Sequence, residues 1–462
     1  MIDVDKISAV QIADFTGGKL IGEDVALTSA TTDSREAYEG ALFIGIKGER
    51  VDGNDFATDF LKNGGSCAVV EKDIDVPAGK TAIRVTDTKK AIRDIAEFYR
   101  TCLDIDVVAV TGSVGKTSTK EMLNSVVSRG FKTFATNGNF NNEIGVPLTV
   151  FQLDSSLEKA IVEMGMSNIG EISRLTKIAK PQVAVITNVG TAHIGNLGSR
   201  ENILKAKLEV LECLDSNGVA ILNGDDHMLW GCRENIAHKT FYYGIENSDA
   251  DYVAYDVKAD AEGSSFKVKI HGKEVSFYVP VAGIHHVQNA MAAIICGLWF
   301  GMNAEDIQKG VSAYKTTGMR QKEIQIGKVK IIEDCYNASL DSMKSSMNVL
   351  EAVSKGGRSV AVLADMLEQG EHSEYLHRQV GAYAALKDVE VLVCVGKDSV
   401  YIADEARKCG ISCVYEFACN SEASEFLCDC IKDGDVVLFK GSRGMKLEEV
   451  SVALQDFLKG RI

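Results

Sequence analysis

From residue 107 onward the chain alternates short, wholly apolar runs with stretches of helical periodicity, and this alternation constrains the fold more than any other feature. Runs at 107–110, 160–162, 183–186 and 219–222 carry no polar residue on either face, as a strand covered by helices on both sides requires. Helices are expected near 116–128, 170–179, 200–214 and 286–300. Between 240 and 280 the pattern changes to strict alternation (Phe266, Val268, Ile270, then Val275, Phe277, Val279), which reads as antiparallel strands at a sheet edge. A second strand–helix series begins near 325, with strands at 329–332, 360–363, 391–395 and 436–439, each followed by a helix. Residues 1–84 mix short apolar runs with turn signals such as Gly17-Gly18, Asp52-Gly53 and Asn63-Gly64-Gly65, and a helical pattern at 86–101 leads into the first buried strand. The expectation is an α/β protein of three domains, 1–84, 85–315 and 316–462, with two separate parallel sheets after a small α/β domain. A length of 462 residues exceeds what one core organises.

Composition removes several functions. A net charge of −15 and the absence of a basic stripe argue against nucleic acid as a partner. No apolar run approaches the ~18 residues of a membrane span, and Met1 to Val10, with Asp3 and Asp5, lacks the form of a signal peptide. Twelve cysteines form no CxxC pair, and most are expected in apolar strands or helices, as Cys67, Cys296 and Cys394 are; a reduced cytoplasm fits them.

The strand at 107–110 runs into Thr111-Gly112-Ser113-Val114-Gly115-Lys116-Thr117-Ser118 and then a helix. Glycines let successive N–H groups point into one concavity, and the helix N-terminus adds positive potential there. Lys116 is placed to reach the β- and γ-phosphates of ATP, and the Thr117 hydroxyl to bind Mg²⁺. Gly112 and Gly115 are separated by only two residues, shorter than the general pattern, but the strand–loop–helix context favours a nucleotide site over an ordinary glycine turn. Such a loop needs an acid on a neighbouring strand to help hold the metal, and Glu163 stands at a strand end in the expected place.

In the helix expected at 201–214, Ile203, Leu204, Leu208, Val210, Leu211 and Leu214 share an apolar face, with Glu201, Lys205, Glu209 and Glu212 opposite. Lys207 falls at the centre of the apolar face. A bare ammonium there must snorkel, pair, lose its proton or be modified. A neutral amine adds CO₂ to become a carbamate, which binds Mg²⁺ as a carboxylate does; snorkelling to a nearby acid remains the competing reading. Thr187-Asn188-Val189-Gly190-Thr191-Ala192-His193 follows a strand and offers one imidazole, which is either structural or a ligand.

These motifs, together with Asn223-Gly224-Asp225-Asp226, Asp33-Ser34-Arg35, residues 137–147, Asp334 to Ser339, Leu363 to Glu368 and Lys440 to Met445, resemble the Mur ligases over nearly the whole chain and in order. Within that family the motifs are most similar to those of the member that joins D-alanyl-D-alanine to a UDP-N-acetylmuramoyl-tripeptide. The resemblance implies an N-terminal UDP-substrate domain, a central P-loop ATPase and a C-terminal Rossmann-like domain. It implies one Mg²⁺ on Thr117 and Glu163 and a second on His193 and a carbamylated Lys207, with Lys116, His193 and Lys207 as the catalytic set. Residues 112–118 with Asn289, Arg320 and Asp334 would bind ATP; Ser34, Arg35, Asn141, Asn142, Asn188, Tyr336, Asn337 and Ser442 would contact substrate. His286, Leu340, Ala364, Gln369 and Ile169 depart from the family pattern, and none is an expected metal ligand.

The implied chemistry is attack of a carboxylate on the γ-phosphate, giving an acyl phosphate that the amine of D-alanyl-D-alanine then opens. A monomer in the cytoplasm, acting in peptidoglycan precursor synthesis, is expected. The alternatives are a related ligase adding glutamate, one adding a diamino acid, whose expected Asp-Asn-Pro-Arg motif is missing, or an ATP-driven switch. The turn Gly441-Ser442-Arg443-Gly444 reads equally as a carboxylate site or an ordinary strand–helix turn.

Overall fold

A computed structural model describes residues 7–461, so Asp3 and Asp5, on which the reading of the N-terminus rests, lie outside the described residues. The central unit is a nine-stranded sheet in which Asp106–Thr111 lies between Lys159–Glu163 and Val183–Ile186, parallel to both. Val107 to Val110 are wholly buried, because helices such as Lys116–Val127 and Glu171–Ala179 cover the two faces. The far edge is the antiparallel ribbon Tyr252–Ala259, Ser264–Ile270 and Lys273–Val279, as the alternating pattern requires. Register sets the geometry that matters next: Glu163 pairs with Val110 and Ile186 with Thr111, so Glu163 and Thr187 flank the point where the strand becomes the glycine loop. Ligand sites of open parallel sheets form at these carboxyl ends.

The C-terminal unit is a six-stranded sheet in the order Lys322–Ile326, Val329–Glu333, Val436–Lys440, Ser359–Ala364, Val391–Val395 and Cys413–Phe417. Only the first pair is antiparallel. Lys322–Ile326 and Cys413–Phe417 are too mixed in polarity to read as strands from the sequence, since both are edges with one side in solvent. The N-terminal unit is a five-stranded sheet, Lys19–Ile21, Thr81–Arg84, Cys67–Val70, Ala41–Ile44 and Ser29–Thr31, parallel except for its first pair. Helix Thr88–Thr101, capped by Asp87 accepting from the Lys90 amide at 2.9 Å, joins it to the central sheet. Among the described residues no helix is long and apolar enough to cross a membrane.

Two expectations are corrected. The helix around Lys207 stops at Leu208 and tightens into a 3₁₀ turn, Glu209–Leu211. That change of pitch carries Glu209 off the polar face and into the core, where its carboxylate accepts from the Gly170 and Ser173 amides at 2.6 and 3.0 Å. It caps the N-terminus of helix Glu171–Ala179, whose preceding residue is a glycine with no side chain to do so. The cysteines are all free, but only Cys67, Cys296, Cys335 and Cys394 are buried; Cys409, Cys413 and Cys419 are exposed on the C-terminal unit.

Removing the buried cap leaves two donors unsatisfied at a helix end. Glu209→Ala is expected to lower unfolding free energy by about 1–3 kcal/mol, read as a lower urea midpoint at unchanged slope; an unchanged midpoint would contradict the capping role.

Candidate active site

The glycine loop is held in shape by the strand beside it. Thr187 Oγ1 donates to the Val114 carbonyl at 2.6 Å, Asn188 Nδ2 donates to the same carbonyl at 3.0 Å, and Asn188 Oδ1 accepts from the Val114 amide at 2.9 Å. Gly112 must lack a side chain, because a Cβ would sit 1.8 Å from Thr187 Oγ1. Gly115 takes the left-handed conformation (φ 85°) that starts helix Lys116–Val127. The Asn-Gly-Asp-Asp motif braces this partner strand: Asn223 Nδ2 donates to the Thr187 carbonyl at 3.0 Å, and Asp226 accepts from the Val189 amide at 2.7 Å. Asn188, expected to touch substrate, thus has its amide engaged on the loop.

Lys116 folds back, its ammonium donating to the Gly112 carbonyl at 2.8 Å. Burial, opposed by the nearby Glu163 carboxylate, pushes its pKa below the ordinary lysine value. Glu163 is 1% exposed; Thr117 Oγ1 donates to one of its oxygens at 2.7 Å and Asn141 Nδ2 to the other at 2.8 Å. Its amide donates to Thr136 Oγ1, and the Thr136 carbonyl accepts from buried Lys120, so backbone and carboxylate are both fixed.

Lys207 is 2% exposed, and its amine makes no hydrogen bond or ion pair among the described residues. Burial, reinforced by the Lys116 charge, drives its pKa well below the ordinary value, so it is held towards the neutral amine. The acid needed for snorkelling to pair it is missing among the described residues. Burial and the same Lys116 charge also lower the His193 pKa, against the pull of Glu368. His193 adopts φ 62° and its Nδ1–H donates to Glu368 Oε2 at 2.6 Å.

These groups border a cleft of about 380 Å³ between the central and C-terminal units. Its wall includes Ser113 to Ser118, Asn141, Asn142, Glu163, His193, Arg320, Asp334, Tyr336 and Asn337. Arg320 lies over the Tyr336 ring, 3.9 Å from its centroid. Asp334 is met by Lys440 Nζ at 2.8 Å and Ser346 Oγ at 2.5 Å. Asn289 sits behind the loop, accepting from Thr119 Oγ1 at 2.9 Å while its Nδ2 is buried without a partner. Lys207 is buried and is not one of the residues that line the cleft. Ser34 and Arg35 occupy an exposed turn of the N-terminal unit away from the cleft, with Arg35 on Asp33 at 2.8 Å. Ser442 is also off the wall: its amide donates to the Asp365 carbonyl and its Oγ accepts from the Leu367 amide. This side chain braces the turn, as an ordinary strand–helix connection does.

The sequence reading missed several wall residues. Ser339, Ser342, Ser345 and Ser346 form a polar stripe at the start of helix Leu340–Val353, a three-to-four-residue spacing legible beforehand. The His285 and His286 rings lie 4.1 Å apart, tilted by 42°, and His286 Nε2 lies 2.7 Å from Gln321 Oε1; burial lowers the His286 pKa to about 4. Ala364 fills space against Gly441, where a Cβ would approach its own to 2.8 Å, and Gln369 donates to the Leu367 carbonyl at 2.7 Å.

Among the described residues no cluster of three or more His, Cys, Asp or Glu side chains could hold a metal alone. A cation here must therefore draw on the Thr117 hydroxyl, a modified Lys207 or the nucleotide's own oxygens. The oxygen pair of Thr117 and Glu163 fits Mg²⁺, and an unpartnered buried amine beside a histidine fits conversion to a carbamate ligand.

Residues 27–100 match the description "Mur ligase family, catalytic domain", 110–297 "Mur ligase middle domain" and 319–443 "Mur ligase, glutamate ligase domain". The chain belongs to the Mur ligase family. It is 38% identical to the UDP-N-acetylmuramoyl-tripeptide--D-alanyl-D-alanine ligase of Bacillus subtilis (strain 168), over 96% of this chain and 97% of that protein. The ligase of the same name from Escherichia coli (strain K12) is 32% identical over 97% and 98%. A crystal structure of MurF from Acinetobacter baumannii superposes with a TM-score of 0.90 at 33% identity, covering 98% of this chain and 99% of that one. A MurF ligase from Thermotoga maritima in complex with ADP does so at 0.84 and 26%, covering 94% and 98%.

The lowered pKa of the buried Lys207 has a measurable consequence. Its folded pKa is lowered, so protonation of the unfolded chain opposes folding, most strongly at low pH and not at all above the free-lysine value of about 10.4. In CO₂-free buffer, Lys207→Met is expected to unfold at higher denaturant than the parent at about pH 7, with the gain shrinking as pH rises towards 10. A gain that does not vary with pH would contradict burial of a neutral amine.

Proposed function

We propose that the chain is an ATP-dependent ligase that joins D-alanyl-D-alanine to the terminal carboxylate of a UDP-N-acetylmuramoyl-tripeptide, releasing ADP and phosphate. The observation that carries the reading is the meeting, in one cleft, of the glycine loop, the Thr117–Glu163 oxygen pair and His193, with the buried Lys207 amine close enough to lower the His193 pKa. The activity for which the relatives from Bacillus subtilis and Escherichia coli are named supports the choice of substrates, and the ADP complex of a structural neighbour supports the nucleotide.

The difficulty in the reaction is electrostatic, since a carboxylate must approach a triphosphate and the two repel. The loop amides and the Lys116 ammonium answer this by surrounding the β- and γ-phosphates with positive charge; Lys116 has only to exchange the Gly112 carbonyl for phosphate oxygen. Thr117 and Glu163 would hold one Mg²⁺, and His193 with a carbamate on Lys207 a second. When bound, these ions screen the phosphate oxygens and the incoming carboxylate from one another. Carbamate formation adds the Lys207 nitrogen to CO₂ and releases one proton, and it replaces a buried amine that has no partner with an anion in a cationic pocket.

The carboxylate oxygen attacks the γ-phosphorus, the bond to the β-bridging oxygen breaks, and ADP leaves an acyl phosphate. The dipeptide amine then attacks the acyl carbon and phosphate departs. Asn289, with its free buried donor, and Arg320 would take the base and phosphates of ATP. Asn141 and Asn142 at one rim and Tyr336 and Asn337 at the other would hold the peptide. Ser34 and Arg35, outside the cleft lining, would meet the UDP-bearing end. The C-terminal unit, already against the loop, excludes the water that would hydrolyse the acyl phosphate. Free cysteines fit action in a reducing cytoplasm.

Lys116→Ala and Glu163→Ala are expected to abolish turnover while leaving thermal unfolding close to the parent; full activity in either would refute the site. Lys207→Ala is expected to lose activity and regain part of it with added short carboxylic acids. In a coupled assay with a panel of amines, ADP should appear only when the muramoyl tripeptide and D-alanyl-D-alanine are both supplied. ADP release without them would point to a switch, and release with glutamate or a diamino acid to a different ligase.

A further inference from the structure

Glu368 reaches His193 from another part of the fold. It lies beyond the strand Ser359–Ala364 of the C-terminal unit, while His193 belongs to the loop after Val183–Ile186 of the central sheet. The two backbones meet closely: the Gly195 amide donates to the Glu368 carbonyl at 3.1 Å, and a Cβ on Gly195 would lie 2.6 Å from that oxygen and 2.7 Å from the Gly370 amide. Both partners hold left-handed backbone at non-glycine residues, His193 at φ 62° and Glu368 at φ 62°. Such conformations persist only where the surroundings fix them. Beside this contact the Asp341 carboxylate, also from the C-terminal unit, accepts from the Thr191 amide at 3.1 Å.

The consequence lies in which imidazole nitrogen is engaged. Nδ1 donates to the Glu368 carboxylate at 2.6 Å, so Nε2 is the nitrogen left free, on a ring that borders the cleft. A carboxylate behind a histidine fixes its tautomer and aim and makes the other nitrogen a better metal donor.

We propose that Glu368 is a positioning residue for the metal site: the C-terminal unit, by docking this carboxylate on His193 Nδ1, presents Nε2 to the cation bound with the nucleotide. The inference rests on the reading of His193 as a metal ligand. Metal affinity and docking of the C-terminal unit are then linked, each strengthening the other by the same factor. In the undocked chain the imidazole lacks its partner, and the second cation binds weakly.

The test uses the full chain with Mn²⁺ as a spectroscopic probe in the presence of ADP. Electron paramagnetic resonance would follow free Mn²⁺ for the parent, His193→Ala, Glu368→Ala and Glu368→Gln. Glu368→Gln keeps a carbonyl oxygen able to accept from Nδ1–H with minimal change of shape. The expected result is that the weaker Mn²⁺ site is lost in His193→Ala and weakened about 10-fold or more in Glu368→Ala, with Glu368→Gln recovering most of the loss. Small-angle scattering should show Mn²⁺ with ADP favouring the docked arrangement in the parent and less so in Glu368→Ala. If His193→Ala binds Mn²⁺ as the parent does, the ligand assignment of His193 falls and the proposal with it. If His193→Ala loses the site but Glu368→Ala does not, only the proposal is overturned.

Discussion

Positive charge without a matching protein anion is the constraint on which the cleft depends. The Lys116 ammonium donates only to backbone carbonyls, the buried Lys207 amine, pushed towards its uncharged form, has no partner among the described residues, and Glu163 receives its hydrogen bonds from a hydroxyl and an amide rather than a cation. Leaving charges unpaired near a water-poor surface is costly, and folds retain such an arrangement where a ligand completes it. Nucleotide phosphates and a carboxylate do so here.

The remaining structure serves to keep this arrangement rigid on one side and closable on the other. Thr187, Asn188, Asn223 and Asp226 tie the loop to the neighbouring strand through side-chain bonds to backbone, which fixes the cradle before any nucleotide arrives. The C-terminal sheet brings Asp334 and Lys440 side by side at the ends of adjacent parallel strands. Its own glycine turn at 396–399 is unavailable to a second nucleotide, because Asp365 accepts from the Lys397, Asp398 and Ser399 amides there. The unit resembles a nucleotide-binding fold in outline, and its Asp334, Tyr336 and Asn337 line the cleft of the central site.

Much of this was legible in the sequence where one local rule decides. Strands buried on both faces announce themselves by unbroken apolar runs, and the glycine loop by its strand–loop–helix setting. Lys207 was conspicuous because a charge at the centre of an apolar helix face breaks the pattern. What stayed hidden was set by tertiary contact. Glu209 was read as a surface acid because its position follows from a change of helical pitch, and nothing in its neighbours signals that it caps another helix. Asn188 and Ser442 carry polar side chains in motif positions, yet both are spent on local backbone, a choice that spacing alone does not disclose. Asp341 and Glu368 meet the central loop across the boundary between units, at sequence separations of 150 and 175.

The central claim is that the cleft lets two mutually repelling anions react through an acyl phosphate. Transfer of label tests it most directly. A muramoyl tripeptide carrying oxygen-18 in its terminal carboxylate would be turned over with ATP, Mg²⁺ and D-alanyl-D-alanine, and the released phosphate examined by its isotope-shifted phosphorus resonance. One carboxylate oxygen should appear in the phosphate for each amide bond formed. Phosphate free of label, with the amide still formed at full rate, would contradict the account.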